Sequence, residues 1–224
     1  MKLFVDSANL AEIEESLARG FVAGITTNPS ILAKEERTDF TEHIHKIIGL
    51  IRRYGSELPL SVEVFTEDPA EMLDQALKFV SVFRYPMLSV KVPIGWGELK
   101  VIAELRKRDI IVNCTCCMSF NQAYMAALAG ANFVSLFYGR IKDTGYDARS
   151  VVEQTARTFR DGGIRSEIIV GSIRHIADIN EALSAGAHIV TVPPKFFPQL
   201  TQHPKTTEAV NQFLGDFRKW SEQG

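Results

Sequence analysis

Short apolar segments alternate with amphipathic segments along the whole chain. Eight of the apolar segments have the length of strands, and the stretches between them carry apolar residues at helical spacing. Strands that alternate with helices in this way form parallel β-α units. The predicted strands are Lys2–Asp6, Val22–Thr26, Leu60–Val64, Met87–Val92, Ile110–Cys114, Phe133–Phe137, Glu167–Gly171 and His188–Val192.

Eight consecutive units favour a closed barrel over an open, doubly wound sheet. The open sheet is the alternative, but the sequence has no glycine-rich dinucleotide fingerprint after its first strand. A last amphipathic helix is predicted at about 204–222, after Pro204. We therefore predict an α/β protein: one (β/α)8 TIM barrel domain over residues 1–224, with an extra C-terminal helix.

Length and charge narrow the functional classes. A chain of 224 residues with 46% hydrophobic content fits one large domain with a sizeable core. The net charge is −2 with both signs interspersed, which argues against nucleic acid and membrane as partners. The N-terminus resembles no signal segment, and no apolar run approaches the length of a membrane span. We expect a cytoplasmic protein that acts on small molecules.

The cysteines and histidines do not indicate a metal site. Cys114, Cys116 and Cys117 lie in one predicted strand and its exit, where neighbours point to opposite faces. They are therefore poorly placed to share a metal or form a disulfide framework, and packing is the favoured role. The five histidines are scattered without a zinc spacing. We expect no metal.

The predicted strand Met87–Val92 contains a lysine, Lys91, where burial is expected. Removing an ammonium group from water costs several kcal/mol, so a buried lysine either pairs or loses its proton. A neutral lysine is a nucleophile that can form a Schiff base with a carbonyl. The alternatives are a lysine that extends to solvent and a structural ion pair.

Polar residues recur at the same end of six predicted strands. Alternate strand residues fill a barrel interior, and active sites of such barrels lie at the carboxyl ends of the strands. So many buried polar groups would be costly without a function. They are Asp6 with Phe4 on its face, Glu63 with Ser61, Lys91 with Ser89, Asn113 with Thr115, Ser135 with Phe137 followed by Arg140, and Ser172 with Arg174 after the seventh strand.

These residues permit imine chemistry. Asp6 and Glu63 are the available acids and bases, and Thr115 could hold a water between one of them and the lysine nitrogen. Each has a structural alternative: a helix cap for Asp6, an ion pair with Lys91 for Glu63, and strand preference for Thr115 and Asn113.

Arg140, Ser172 and Arg174 form a candidate anion site. Two guanidinium groups and a hydroxyl near a helix start suit a phosphate, and this corner of such barrels often binds one. The alternative is a pair of surface arginines. Together with a Schiff-base lysine, the site implies a phosphorylated or otherwise anionic carbonyl sugar.

The sequence resembles the small transaldolase family, the branch that also includes fructose-6-phosphate aldolase. The resemblance runs from Met1 to about Trp220, and the TTNPS pattern together with KVP is its most specific part. The matching motifs are Phe4-Val-Asp6-Ser-Ala-Asn9, Gly24-Ile-Thr26-Thr-Asn28-Pro-Ser30, Val62-Glu63-Val64, Val90-Lys91-Val-Pro93, Asn113-Cys-Thr115, Ser135-Leu-Phe137-Tyr-Gly-Arg140 and Ser172-Ile-Arg174.

The resemblance implies a (β/α)8 barrel and a cofactor-free transfer of a dihydroxyacetone unit from a ketose phosphate to an aldose phosphate. It implies that Lys91 forms the imine, that Asp6 takes the proton of the C4 hydroxyl, and that Glu63 and Thr115 move protons through a water. It also implies a homo-oligomer, a ring-shaped pentamer or decamer. Asn28 and Asn113 would hold the enamine, Thr26, Ser135 and Phe137 would line the donor site, and Arg140, Ser172 and Arg174 would bind the anionic end.

Two positions bear on transfer versus cleavage. The aldolase branch has glutamine in place of Glu63 and tyrosine in place of Phe137, so this chain has the transferase-like choices. The alternatives are a fructose-6-phosphate aldolase-type lyase and a sugar-binding barrel without catalysis.

The chain departs from the family pattern at three places near the predicted barrel mouth. These are the segments Ile94–Gly97 and Cys116–Ser119, and Tyr138. A sulfonated ketose such as 6-deoxy-6-sulfofructose is therefore a further alternative substrate, since two arginines would also bind a sulfonate.

Overall fold

Eight parallel strands close into a barrel in sequence order, each paired with its neighbours along the chain. This computed structural model describes residues 1–55 and 57–222. The prediction of a (β/α)8 barrel is confirmed. The strands are β1 (Lys2–Asp6), β2 (Val22–Thr26), β3 (Leu60–Glu63), β4 (Leu88–Pro93), β5 (Ile111–Cys117), β6 (Phe133–Phe137), β7 (Glu167–Gly171) and β8 (Ile189–Val192).

Within residues 1–194, helices follow the strands along the chain, and residues that cap helix ends mark several of them. Asp68 caps the helix Pro69–Phe83 through the backbone N–H groups of Ala70 and Glu71, and Ser119 caps the helix Phe120–Leu128 through that of Gln122. The helices are α1 (Leu10–Leu17), α2 (Pro29–Leu32), α3 (Phe40–Arg53), α4 (Pro69–Phe83), α5 (Glu98–Arg106), α6 (Phe120–Leu128), α7 (Tyr138–Asp143), α8 (Ala148–Asp161), α9 (Ile176–Ser184), α10 (Phe197–Thr201) and α11 (Pro204–Ser221).

The strand β5 extends past its predicted end at Cys114 to Cys117, and it is irregular. Its pairing with β6 shifts register between Cys114 and Cys117, and Cys116 has a positive φ of 62°. A bulge of this kind breaks the alternation of side chains. The apolar pattern alone therefore predicted its end too early.

Apolar side chains fill the inner part of the barrel. The rings of Phe4 and Phe133 meet edge to face with centroids 6.5 Å apart, and Ile169 and Ile189 complete the cluster. Gly24 is needed beside them, because a Cβ there would lie 2.4 Å from the Phe4 ring. Two residues further along the strands the inward side chains become polar, which places the polar layers towards the carboxyl ends of the strands.

The chain divides into two compact units, Met1–Pro194 and Lys195–Gly224. The first unit holds the barrel. The second contains α10 and α11, and α11 is the C-terminal helix predicted at about 204–222; within it the rings of Phe217 and Trp220 lie 5.7 Å apart. No helix in the described part of the chain has the length and hydrophobicity needed to cross a membrane.

Candidate active site

A cavity of about 340 Å³ lies at the carboxyl ends of the barrel strands. All the predicted site residues except Asn113 and Arg174 line it. Strand register explains part of this convergence, because Glu63 is paired with Lys91 across β3 and β4, and Asp6 with Thr26 across β1 and β2. The predicted residues in its lining are Asp6, Thr26, Asn28, Glu63, Lys91, Thr115, Ser135, Phe137, Arg140 and Ser172.

Lys91 is buried and paired. Only 5% of the residue is exposed, and its Nζ lies 2.9 Å from Glu63 Oε2 and 2.9 Å from the carbonyl oxygen of Thr27. The alternative in which the lysine extends to solvent is therefore wrong. Of the two outcomes that burial permits, pairing is the one observed, and the partner carboxylate stands where it can accept the lysine proton.

Asp6 lines the same cavity and is held by a chain of hydroxyl groups. Thr26 Oγ1 donates to Asp6 Oδ1 at 2.7 Å and lies 2.5 Å from Thr191 Oγ1. Since the single Thr26 proton points to Asp6, Thr191 is the donor in the second contact. Burial raises the pKa of Asp6, while the Thr26 hydrogen bond and the Lys91 charge lower it. The net effect is a carboxyl group that holds its proton more tightly than usual.

The cap of α1 is Asn9, not Asp6. The Asn9 side chain accepts the backbone N–H of Glu12 at 3.1 Å, and its own N–H binds the Ser7 hydroxyl. The helix-cap alternative for Asp6 is therefore wrong. The Asp6 carboxylate is left for the cavity.

Thr115 and Cys116 both line the cavity although they are neighbours in sequence. The bulge in β5 makes this possible, because the left-handed backbone of Cys116 turns it to the side that Thr115 occupies. Thr115 is fully buried, and its hydroxyl has no hydrogen-bond partner of ordinary geometry among the described residues. A buried hydroxyl without a partner is a natural position for a bound water.

Cys116 therefore lines the cavity, in addition to the packing role expected of the three cysteines. Burial raises the pKa of its thiol, and the Glu63 carboxylate raises it further. Cys114 and Cys117 are buried as the packing interpretation predicts, and all three are free cysteines. Among the described residues, no group of three or more His, Cys, Asp or Glu side chains could hold a metal ion.

Asn113 does not line the cavity. Its Oδ1 accepts a hydrogen bond from Ser135 Oγ at 2.7 Å, and its Nδ2 donates to Ser61 Oγ at 3.3 Å. It precedes Thr115 by two residues on the same face of β5, in the polar layer next to the apolar interior. Its amide ties β3, β5 and β6 together across the barrel interior.

The TTNPS segment contributes three different groups. The Thr26 hydroxyl donates a hydrogen bond to Asp6, and the Thr27 carbonyl oxygen accepts one from Lys91. The Asn28 side chain caps α2 by accepting the N–H of Ile31 at 3.0 Å. Asn28 thus has a structural role as well as a place in the cavity lining. A single loop after β2 therefore supports both the candidate nucleophile and the candidate base.

The two arginines of the predicted anion site lie in different environments. Arg140 lines the cavity, and its guanidinium group stands 5.4 Å above the centre of the Phe137 ring. Arg174 binds the carboxylate of Asp143 through both terminal nitrogens and is absent from the lining. Ser172 lines the cavity with a positive φ of 59°, a strained conformation for serine.

The groups at the site that were not predicted include the Thr191 hydroxyl, the Thr27 carbonyl and Cys116. Thr191 follows the rule that identified the others, a polar residue facing inward near the end of its strand, and could have been found by it. The Thr27 carbonyl carries no side-chain signal, and Cys116 reaches the cavity only because of the bulge.

The departures from the family pattern do not all lie at the mouth. Tyr138 is buried, 1% exposed, and its hydroxyl donates to Glu181 at 2.6 Å. Trp96 is 87% exposed and borders a separate apolar groove with Leu99 and Met125. Of the three departures, Cys116 is the one in the cavity lining, so the placement of Tyr138 at the mouth is wrong.

A larger cavity of about 470 Å³ lies beside α2 and the start of α3. Its histidine, His43, is bound to the carbonyl oxygen of Ala8 at 2.8 Å. No lysine lines this larger cavity. Lys91, which is paired with Glu63, and Asp6 both line the smaller one. Chemistry therefore favours the smaller cavity as the active site.

The fold and the cavity define a parallel eight-stranded barrel with a buried lysine–carboxylate pair at its open end. A family model described as Transaldolase/Fructose-6-phosphate aldolase matches residues 3–223. The chain belongs to this family. A protein of Alkaliphilus metalliredigens named probable transaldolase is 41% identical over 97% of this chain and 98% of its own length. Proteins with the same name from Dehalococcoides mccartyi (97% and 98% covered) and Bacillus cereus (100% of each) are both 38% identical.

Proposed function

We propose that the chain is a transaldolase that moves a dihydroxyacetone unit from a ketose phosphate, such as fructose 6-phosphate, to an aldose phosphate through a Schiff base on Lys91. The observation that carries the proposal is the buried pair of Lys91 and Glu63, 2.9 Å apart, in a cavity that Asp6 also lines. Membership of the transaldolase/fructose-6-phosphate aldolase family supports the same activity.

The first half of the reaction starts at the lysine. Lys91 gives a proton to Glu63, and the free amine attacks the ketose carbonyl carbon C2. One N–H proton moves from the attacking nitrogen to the C2 oxygen, which gives a carbinolamine with a C2 hydroxyl. Glu63 returns the proton, through a water at Thr115, to the C2 hydroxyl, which leaves as water and yields the iminium ion. Asp6 then takes the proton of the C4 hydroxyl. The C3–C4 bond breaks, its electron pair enters the iminium to form an enamine, and the aldose departs.

The second half reverses these steps on a new aldehyde. The enamine carbon attacks the aldehyde carbon, and Asp6 protonates the oxygen that becomes the new C4 hydroxyl. Water then adds to the iminium, and release of the ketose restores Lys91. The raised pKa of Asp6 suits a group that must both take and return a proton.

The anionic end of the sugar lies at Arg140 and Ser172 in this proposal. Arg140 lines the cavity, and no described residue forms an ion pair with it. The cavity volume of about 340 Å³ is in the usual range for a small-molecule site. Glu63 and Phe137 favour transfer over cleavage; release of free dihydroxyacetone without an acceptor would favour the lyase instead.

Borohydride trapping tests the proposal directly. We expect fructose 6-phosphate and borohydride to add a reduced dihydroxyacetone or ketose unit to Lys91, seen by peptide mass, because reduction makes the imine permanent. Lys91→Met should give no adduct, whereas Lys2→Met, which removes a surface lysine paired with Glu167, should label like the parent. A folded parent protein that gains no mass at Lys91 would sink the Schiff-base proposal.

A further inference from the structure

The two arginines near the anion site differ in availability. Arg140 stands over the Phe137 ring and has no ion-pair partner among the described residues. The Arg174 guanidinium forms two hydrogen bonds with the Asp143 carboxylate. One of the two positive charges predicted for the anion site is therefore compensated by a carboxylate of the same chain.

The fold holds Arg174 beside α7, the helix that also carries Arg140. Lys142 Nζ binds Asp178 Oδ1 at 2.8 Å, and Asp178 Oδ2 accepts the backbone N–H of Arg174 at 2.9 Å. These contacts tie α7 to the segment that follows β7. A Cβ on Gly139 would lie 2.9 Å from Arg174 Nε. The Arg174 side chain therefore lies against Gly139, the residue that precedes Arg140.

The pair is also able to exchange partners. The side chains of Arg174 and Asp143 are 48% and 49% exposed, and ion pairs at such exposure are weak. A guanidinium group binds a phosphate through the same two parallel hydrogen bonds that it makes to a carboxylate. An anion that reaches Arg174 therefore has to compete with Asp143 for the same donors.

We propose that Asp143 is a specificity-determining residue that weakens the binding of anionic sugar ends by occupying Arg174. The inference rests on the proposed function for the place of the anionic end, at Arg140 and Ser172. An incoming anion meets these two groups first and gains Arg174 only by displacing the Asp143 carboxylate. Neutral sugars do not use Arg174, so Asp143 affects them little.

Binding of inorganic phosphate to Asp143→Asn tests the inference without any need for catalysis. Calorimetry at constant low ionic strength should show the Kd for phosphate falling about two- to five-fold, because the weak pair no longer holds Arg174. In an Arg174→Met background the same substitution should change nothing. Asp161→Asn, which breaks an exposed pair with Arg160, is the matched control for loss of one negative charge.

Kinetics supply the second readout. KM for the phosphorylated donor should fall by the same factor in Asp143→Asn, with kcat unchanged and KM for fructose unchanged. An unaltered phosphate Kd, or a gain equal to that of Asp161→Asn, overturns the inference; Asp143→Ser repeats the test with the carboxylate removed. Tighter phosphate binding in a protein that forms no Lys91 adduct would keep the inference and reject the proposed function.

Discussion

The fold removes two ionisable groups, Asp6 and Lys91, from water and compensates their charges in different ways. Lys91 has a full counter-charge, Glu63, at 2.9 Å. Asp6 has the Thr26 hydroxyl at 2.7 Å and only the more distant charge of Lys91, so desolvation remains the largest effect on it. The charge of the lysine is therefore compensated by a partner, whereas the pKa of the aspartate stays raised by its burial.

A raised pKa in the folded protein makes ionised Asp6 a source of instability. The unfolded chain releases this proton near the ordinary value of 3.8, whereas the folded chain holds it to higher pH. Stability contributed by this group therefore falls as pH rises from the ordinary value through the raised one. At neutral pH the unfolded chain ionises this carboxyl group in full contact with water, whereas the fold disfavours the charged form.

We expect Asp6→Asn to raise the melting temperature at pH 7 by about 2–4 °C, the shift that roughly 1 kcal/mol gives a chain of this size. The gain should shrink towards pH 4, near the ordinary aspartate pKa of 3.8, because there the unfolded chain also binds this proton. Transaldolase turnover should fall at least about 100-fold, since the base is lost. Calorimetry against pH and a coupled assay measure both; equal or lower stability at pH 7 would contradict this account.

The raised pKa of Asp6 also predicts how the activity of the unsubstituted protein falls at acid pH. A base with a raised pKa is protonated at a higher pH than an ordinary aspartate. As the pH is lowered, activity should therefore begin to fall before the pH reaches the usual aspartate range. The sequence located Asp6 by its face of the strand. Its pKa depends on burial, on the Thr26 hydrogen bond and on the Lys91 charge, which only the closed barrel brings together.

Among the elements, α7 and the segment after β7 determine the geometry of the anion end. The N–H of Gly139 donates to the carbonyl oxygen of Ser172 at 3.1 Å, which requires the two backbones to approach closely. A Cβ on Gly139 would lie 2.3 Å from that oxygen. The glycine is thus required by packing at this position.

We expect Gly139→Ala to force α7 away from Ser172 and to destabilise the protein by about 1–3 kcal/mol. Since Arg140 follows in the same helix, KM for phosphorylated substrates should rise more than KM for fructose. Gly49→Ala in α3 is the matched control, because nothing lies within 4 Å of a Cβ there. Denaturant unfolding and the two KM values measure the effect; a variant as stable as Gly49→Ala would contradict it.

At the scale of the whole molecule, barrel closure converts local polarity into one site. Each of the eight strands places a polar residue at or just past its carboxyl end, and the cavity gathers these residues at one end of the barrel. The single-domain description of 1–224 stays a prediction, as does the homo-oligomer. The helix α11 carries Val210, Phe213, Leu214 and Phe217 at the spacing of one apolar face.

We expect the native protein to have a mass five or ten times that of one chain, with the apolar face of α11 buried between copies. Phe213→Asp should then yield smaller species in light scattering, because a charge is costly in an apolar interface. Lys219→Gln, which lowers the charge by one as Phe213→Asp does but on the opposite side of the same helix, is the control. A lower melting temperature at unchanged mass would show that the face packs on its own chain instead.

The sequence by itself determined the elements and the inward faces. Hydrophobic periodicity located the eight strands, and alternation identified Asp6, Glu63 and Lys91 as interior residues, because both depend only on neighbours along the chain. Tertiary structure decided the rest: the bulge that turns Cys116 into the cavity, the Thr191–Thr26–Asp6 chain, and the capture of Arg174 by Asp143. These depend on contacts between distant segments, to which a local pattern carries no signal.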